Sequence, residues 1–208
     1  MELNPHDLVR IRGVEELVTE HPPPQWVRAS LLLAPFVVIR RAQNQNGCLP
    51  VGVRGWERGQ RFAAWLPADR IIKVVTPYLL ANPGTWKDVY NKFPPLTIRS
   101  LQLVTPLLDR TMYSWGPIGS AGFELATGIS ALRDSSDLDL LIDLNEALSM
   151  NAAGILMESL EKTTLVPLDI QINTPLGGVA LKEYIKSNEV LIKTRNGPML
   201  IPVESLWP

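Results

Sequence analysis

Eighteen prolines spread along 208 residues constrain this chain more than any other feature of it. Each fixes φ near −65° and removes a backbone donor, so proline interrupts helix interiors and central strands alike. A long helical bundle is disfavoured, and many short elements joined by stiff turns are expected. Apolar residues at 46% and charged residues at 20% are ordinary for a globular protein. The length suffices for one large domain or two small ones with real cores.

The formal net charge of −1 gives no global field toward nucleic acid or an anionic membrane, and neither is expected as a partner. The halves differ: residues 1–93 carry 12 Lys and Arg against 8 Asp and Glu, whereas residues 94–208 carry 8 against 13. A basic half beside an acidic half suits a site that joins an anionic ligand to bound cations, although solvated surface charge gives the same totals. Cys48 is the sole cysteine, which leaves no intrachain disulfide and no thiolate metal cluster. The opening MELNPHDLVRIRG lacks a continuous apolar run and carries charge throughout, unlike a secretory leader. The longest apolar stretch, residues 29–39, is interrupted by Ser30 and Pro35 and is too short to span a bilayer. A soluble, cytoplasmic protein is expected, and its apolar content is compatible with a homodimer.

Pro94-Pro95, after the polar residues 87–92, marks the boundary between two lobes, 1–93 and 94–208. In the first lobe, residues 26–33 and 36–41 are rich in Val, Ile and Leu and read as strands or buried segments. A polar loop at 43–47 leads to Pro50-Val-Gly-Val-Arg-Gly-Trp56, where two glycines mark tight turns. Residues 60–66 read as a strand or short helix, and 71–80 are ambiguous. The second lobe is clearer. Residues 96–108 predict a helix with Leu96, Ser100, Leu103 and Leu107 near one face. Residues 112–118 predict a strand ending in Gly119-Ser120, and 121–127 a short helix closed by Gly128. A strand at 138–144, a helix at 145–160 packed through Leu148, Ala152, Ile155 and Leu160, and a strand at 165–172 follow. Pro175-Leu-Gly-Gly178 is a turn, 179–186 a helix, and 190–194 with 199–203 a hairpin across Arg195-Asn196-Gly197. The fold class that follows is α+β or α/β, a mixed sheet with helices in the C-terminal lobe beside a smaller mixed N-terminal lobe.

Chemistry concentrates in Gly119-Ser120, in Ser136-Asp137-Leu138-Asp139-Leu140-Leu141-Ile142-Asp143, and in Leu168-Asp169-Ile170-Gln171. On a strand, residues two apart share a face, so Asp137 and Asp139 project together while Leu138, Leu140 and Ile142 turn to the core. Paired carboxylates repel unless a cation or proton lies between them. Oxygen-only ligation without a nearby His or Cys favours a hard ion, Mg²⁺ above Zn²⁺. Asp169 interrupts an apolar run, where an unpaired charge is costly, and the three acids converge if its strand neighbours that of Asp137. Gly119-Ser120 ahead of a short helix supplies close backbone approach, N–H groups and a hydroxyl, the parts that hold a phosphate. Singly these signals are weak: D-x-D is common, Gly-Ser is an ordinary turn, and Asp169 alone reads equally as a buried acid paired with arginine. Their order is more specific. Strand, Gly-Ser, short helix, strand with D-x-D, helix, strand with Asp resembles the core of the nucleotidyltransferase superfamily typified by DNA polymerase beta.

Gly119-Ser-Ala-Gly-Phe-Glu-Leu-Ala-Thr-Gly128, followed by Ser136-Asp-Leu-Asp-Leu-Leu141, further resembles the malonate decarboxylase holo-acyl carrier protein synthases, the phosphoribosyl-dephospho-CoA transferases. Similar segments flank it in order, among them His6-Asp7-Leu8, Gly52-Val-Arg-Gly55 with Gln60-Arg61, and Asp169-Ile-Gln171 before Thr174-Pro175. The closing run from Pro202 to Trp207 departs from the Asp-Pro-Trp of that family. The resemblance implies a donor, 2′-(5″-triphosphoribosyl)-3′-dephospho-CoA, and an acceptor, a serine on the apo acyl carrier subunit of malonate decarboxylase, with pyrophosphate leaving. It also implies that Asp137 and Asp139 hold one or two Mg²⁺, and that Asp169 completes the metal site or accepts the serine proton. Gly119 and Ser120 would position phosphates. Arg54, Arg58 and Arg61, in a Gly-bearing loop of the basic half, are candidates for binding donor phosphates or an acidic carrier. Thr127 is a further candidate to line the site. Trp115 is the tryptophan placed to stack on adenine, whereas Trp26, Trp56, Trp65 and Trp86 read as core. Two other functions share these residues: nucleotide transfer to another hydroxyl acceptor, and a non-catalytic nucleotidyltransferase-like antitoxin module that keeps the acids for binding.

Overall fold

The computed structural model describes residues 3–57, 59–85, 90 and 93–208. They build two sheets. The first is antiparallel throughout, in the order β4-β3-β2-β1-β5, from β1 (Leu8–Arg10), β2 (Phe36–Ile39), β3 (Cys48–Arg54), β4 (Arg61–Pro67) and β5 (Lys73–Val75). One face, with Val9, Val37, Val51 and Ala64, packs against α1 (Gln25–Leu33) to form a small core. Because side chains alternate, the other face carries Leu8, Val38, Gly52 and Ala63, and it turns toward the second lobe.

Residues 26–33, expected as strand or buried segment, are helical. Val27, Ser30 and Leu31 bury at helical spacing while Leu32 and Leu33 stay exposed. A short apolar run has no period of its own, so tertiary context decides its conformation. Pro24 before the helix and Pro35 after it bound the segment.

The second sheet is mixed, in the order β11-β10-β9-β8-β7-β6. It comprises β6 (Trp115–Pro117), β7 (Leu138–Asp143), β8 (Leu168–Asn173), β9 (Gly178–Ala180), β10 (Glu189–Thr194) and β11 (Gly197–Pro202). Only β7 and β8 run parallel, and parallel neighbours need a crossover, here α5 (Met150–Glu161). The remaining helices are α2 (Pro77–Ala81), α3 (Leu96–Leu108), α4 (Gly119–Thr127) and α6 (Leu181–Lys186). The architecture is therefore α+β, with the element order expected of a nucleotidyltransferase-like mixed sheet. No helix among the described residues is long and apolar enough to cross a membrane.

Three local expectations shift. The inner face of α3 is Ile98, Leu101, Val104 and Leu108, while Leu96 and Leu103 are exposed. That is a rotation of about one residue from the expected stripe, on a helix apolar on most sides. Helix α5 starts only at Met150, because the Ser149 side chain accepts the Ala152 N–H at 3.2 Å and caps it, and Ala153, Met157 and Leu160 face inward instead of Ile155. The helix expected from 179 begins at Leu181, since Gly178–Ala180 pairs with β8. Of the expected boundary stretch 87–92, only Tyr90 lies within the described residues.

The lobes share a core: Leu8, Val75 and Leu80 join the large cluster built around Leu138, Leu140 and Ile142. Polar contacts reinforce the seam. The Tyr78 hydroxyl donates to Asp143 Oδ2 at 2.5 Å, and Arg41 donates to Asn173 Oδ1 at 2.9 Å.

Candidate active site

Parallel pairing sets Leu138 opposite Leu168 and Asp139 opposite Asp169. Residues so paired share a face, so the two carboxylates stand side by side, with Asp137 two residues earlier on the same face. Leu138, Leu140, Leu168 and Ile170 point the other way into the core. Asp169 is exposed in the basin, so its apolar sequence neighbours bury while it does not.

Helix α4 brings the phosphate-holding elements to these acids. The Ile118 N–H donates to the Asp139 carbonyl at 3.0 Å, which ties the start of α4 to β7. Gly119 adopts φ +61°, and a Cβ there would lie 2.0 Å from Asp139 Oδ2. Only glycine meets both demands. No side chain caps the first turn of α4, whose N–H groups therefore remain to hold an anion.

The first sheet supplies cations. Arg54 on β3 and Arg61 on β4 are directly opposite in the register. Like charges so placed repel and favour an anion between them. Arg54 Nη2–H donates to Ser120 Oγ at 2.6 Å, and its guanidinium lies 5.9 Å from the Phe123 ring centre. Burial, then the neighbouring Arg61, hold the Arg54 guanidinium below its ordinary pKa, while Asp139 opposes them.

Asp137, Asp139 and Asp169 thus form one wall of a basin of about 370 Å³, with Gly119, Ser120, Arg54 and Arg61 around them. Thr127 is not brought there; at the far end of α4 its hydroxyl donates to the Phe123 carbonyl and accepts from Ile129 N–H. Arg58 lies outside the described residues. Trp115 is corrected to core: it is 5% exposed, and its indole N–H donates to Asp109 Oδ1 at 3.1 Å. Trp56, expected in the core, instead lines the basin, and Arg133, no candidate from the sequence, joins it there. Trp56 is 45% exposed, and Arg133 donates to the Trp56 carbonyl at 2.5 Å. Arg133 sits between Gly128 and Asp137, in the loop that precedes the acids, and a lone loop arginine has no periodic signal.

Among the described residues, no three His, Cys, Asp or Glu side chains form a group that could hold an ion unaided. The donors present are nevertheless all oxygens, and Mg²⁺ is usually held by one or two carboxylates together with water and substrate phosphates. Asp137 and Asp139 fit an ion of that kind.

Known proteins place the chain. Residues 85–204 match the model of the phosphoribosyl-dephospho-CoA transferase MdcG C-terminal domain, and residues 4–77 match that of the MdcG N-terminal domain. The chain belongs to the MdcG family. A protein of Pseudomonas fluorescens named phosphoribosyl-dephospho-CoA transferase is 37% identical, covering 94% of this chain and 91% of its own. Proteins of the same name from Azotobacter vinelandii and Klebsiella pneumoniae are each 36% identical, covering 95% and 94% of this chain and 92% and 93% of theirs. No solved structure matches.

Within this MdcG-family site, Gly119→Ala is expected to lower turnover by about 10²-fold, because a displaced group next to the chemistry costs that much. The left-handed φ adds about 1–2 kcal/mol of strain. Steady-state kinetics beside a thermal melt checks both, and unchanged turnover would show that Asp139 does not need its present position.

At the lobe seam, Gln171 Nε2–H donates to His6 Nε2 at 2.9 Å, and His6 adopts φ +78°. Burial, then Arg41 and Lys193, push the imidazole down to about 4. The folded pKa lies below the ordinary 6.5, so below pH 6.5 the unfolded chain binds a proton that the folded chain resists. The His6 contribution is therefore complete above pH 6.5 and is lost as pH falls toward about 4. Thermal melts across that window should show His6→Asn, which tolerates positive φ, losing less Tm than the natural chain. Parallel losses would contradict this.

Proposed function

We propose that this protein transfers the phosphoribosyl-dephospho-CoA group from 2′-(5″-triphosphoribosyl)-3′-dephospho-CoA to a serine of the apo acyl carrier subunit of malonate decarboxylase, releasing pyrophosphate. The observation that supports the reading is the convergence of three carboxylates, an uncapped helix N-terminus and two opposed arginines in one basin. Phosphoryl-type transfer needs positioning and charge stabilisation above all, and this donor set supplies both.

The new bond joins the serine oxygen to the phosphorus nearest the ribose, and the broken bond releases pyrophosphate with its bridging oxygen. Asp137 and Asp139 would hold Mg²⁺, whose charge when bound offsets that of the triphosphate. Arg54, Arg61 and the first-turn N–H groups of α4 bind the phosphate oxygens and keep them in line. Ser120, already hydrogen-bonded to Arg54, orients that guanidinium. Asp169 takes the serine proton. Exposed at the basin and beside Asp139, it is open to a nucleophile carried on another protein.

Pyrophosphate release, followed with purified donor, apo carrier subunit and Mg²⁺, tests the proposal. Release that requires all three is expected. Release at the same rate without carrier, or none at all, would defeat it.

A further inference from the structure

A second cavity, of about 440 Å³, opens beside the basin and shares Arg54, Arg61 and Gly119 with it. Its floor is the inward face of the first sheet. In register across five strands, Val75, Leu8, Val38, Gly52 and Ala63 form a single row on that face. The row thins toward β4. Leu8 and Val75 fill their share of the space and join the core, the Arg40 and Val38 side chains lie over Gly52, and exposed Ala63 leaves its share open. Phe36 and Phe123 also line the cavity. His6 lies on the lining too, and its lowered pKa keeps it neutral at physiological pH.

We propose that this cavity receives the adenine base of the donor, with Ala63 as the residue that admits it; this rests on the donor named above. Connectivity supports the base. The triphosphoribosyl group is joined to the ribose of the adenosine, so adenosine is the neighbour of the reacting phosphates. Arg54 and Arg61 stand where the two cavities meet, and so span phosphate on one side and base on the other. The volume falls within the range of about 300–1,000 Å³ that encloses small organic ligands. Chemistry supports it too. A purine is flat, uncharged and well matched to phenylalanine rings. The pantetheine arm carries two amides, each of which is costly to bury without a partner.

Calorimetric titration of the full chain with adenosine 5′-diphosphate, 4′-phosphopantetheine and inorganic pyrophosphate tests the assignment. Ala63→Leu should weaken the adenine-bearing probe by about tenfold, and Ala63→Trp should abolish its binding. Inorganic pyrophosphate, held by the arginines, should bind all three proteins alike, which also shows that the variants are folded. Should the tryptophan not be accommodated, Ala63→Leu carries the comparison alone. Equal adenosine diphosphate binding by Ala63→Leu and the natural chain, no binding by the natural chain, or selective loss of 4′-phosphopantetheine would overturn the proposal. The readout is fragment binding, so a failure of carrier modification leaves it standing. Normal carrier modification with adenosine diphosphate binding indifferent to Ala63 overturns the adenine site alone.

Discussion

Asp139→Ala is expected to slow carrier modification by about 10³-fold, the effect of removing one preorganised charge-stabilising group from a transfer site. The fold should survive. The Asp139 side chain faces the basin, and the bond that ties α4 to β7 uses its backbone carbonyl, which alanine keeps. What is lost is half of the carboxylate pair, together with a charge that favours ionised Arg54. Because the loss falls on the transition state, it should appear mainly in kcat. Single-turnover mass measurements, with circular dichroism as the folding control, check it. Full activity in a folded variant would favour a binding role for the acids.

The largest effect on stability is expected at Gly116. A Cβ there would stand 1.9 Å from the Pro77 carbonyl oxygen and 2.2 Å from its carbon. Both are backbone atoms at the start of α2, so neither can swing aside as a side-chain tip would. Gly116→Ala must push α2 away from β6, loosening Leu80 in the shared core and the Tyr78–Asp143 hydrogen bond. A destabilisation of about 3 kcal/mol is expected, typical of overpacking against an unyielding neighbour. For a chain of this size that lowers Tm by about 6–12 °C. A melt within a degree or two of the natural protein would show that α2 is not held by this contact.

Much of the second lobe was legible because its signals are periodic. Leu138, Leu140 and Ile142 share one face of β7 while Asp139 and Asp143 fall on the other, and Gly128 ends α4 in the left-handed conformation expected of a helix-closing glycine. Leu96 to Leu108 reads as a helix, but its inner face did not follow, because Leu103 and Val104 are equally apolar and only packing chooses between them. The segment of α1 has no alternation to separate strand from helix. Across lobes, sequence is silent. Nothing in the chain announces that Arg54 will reach Ser120, or that Gly52 and Ala63 will lie side by side over a cavity, since such contacts arise from strand register and lobe docking. Gly116 is the sharpest case. Its neighbour is a carbonyl 39 residues away, and in the sequence it is only a glycine before a proline.

Intact-mass spectrometry of the carrier subunit tests the central claim most directly. With donor, Mg²⁺ and this protein, the apo carrier should gain the mass of one phosphoribosyl-dephospho-CoA group. A carrier whose acceptor serine is replaced by alanine should gain none, and Asp139→Ala should leave the carrier unmodified on the same timescale. An unchanged carrier mass in the presence of the folded natural protein, or an equal gain with Asp139→Ala, would contradict the account.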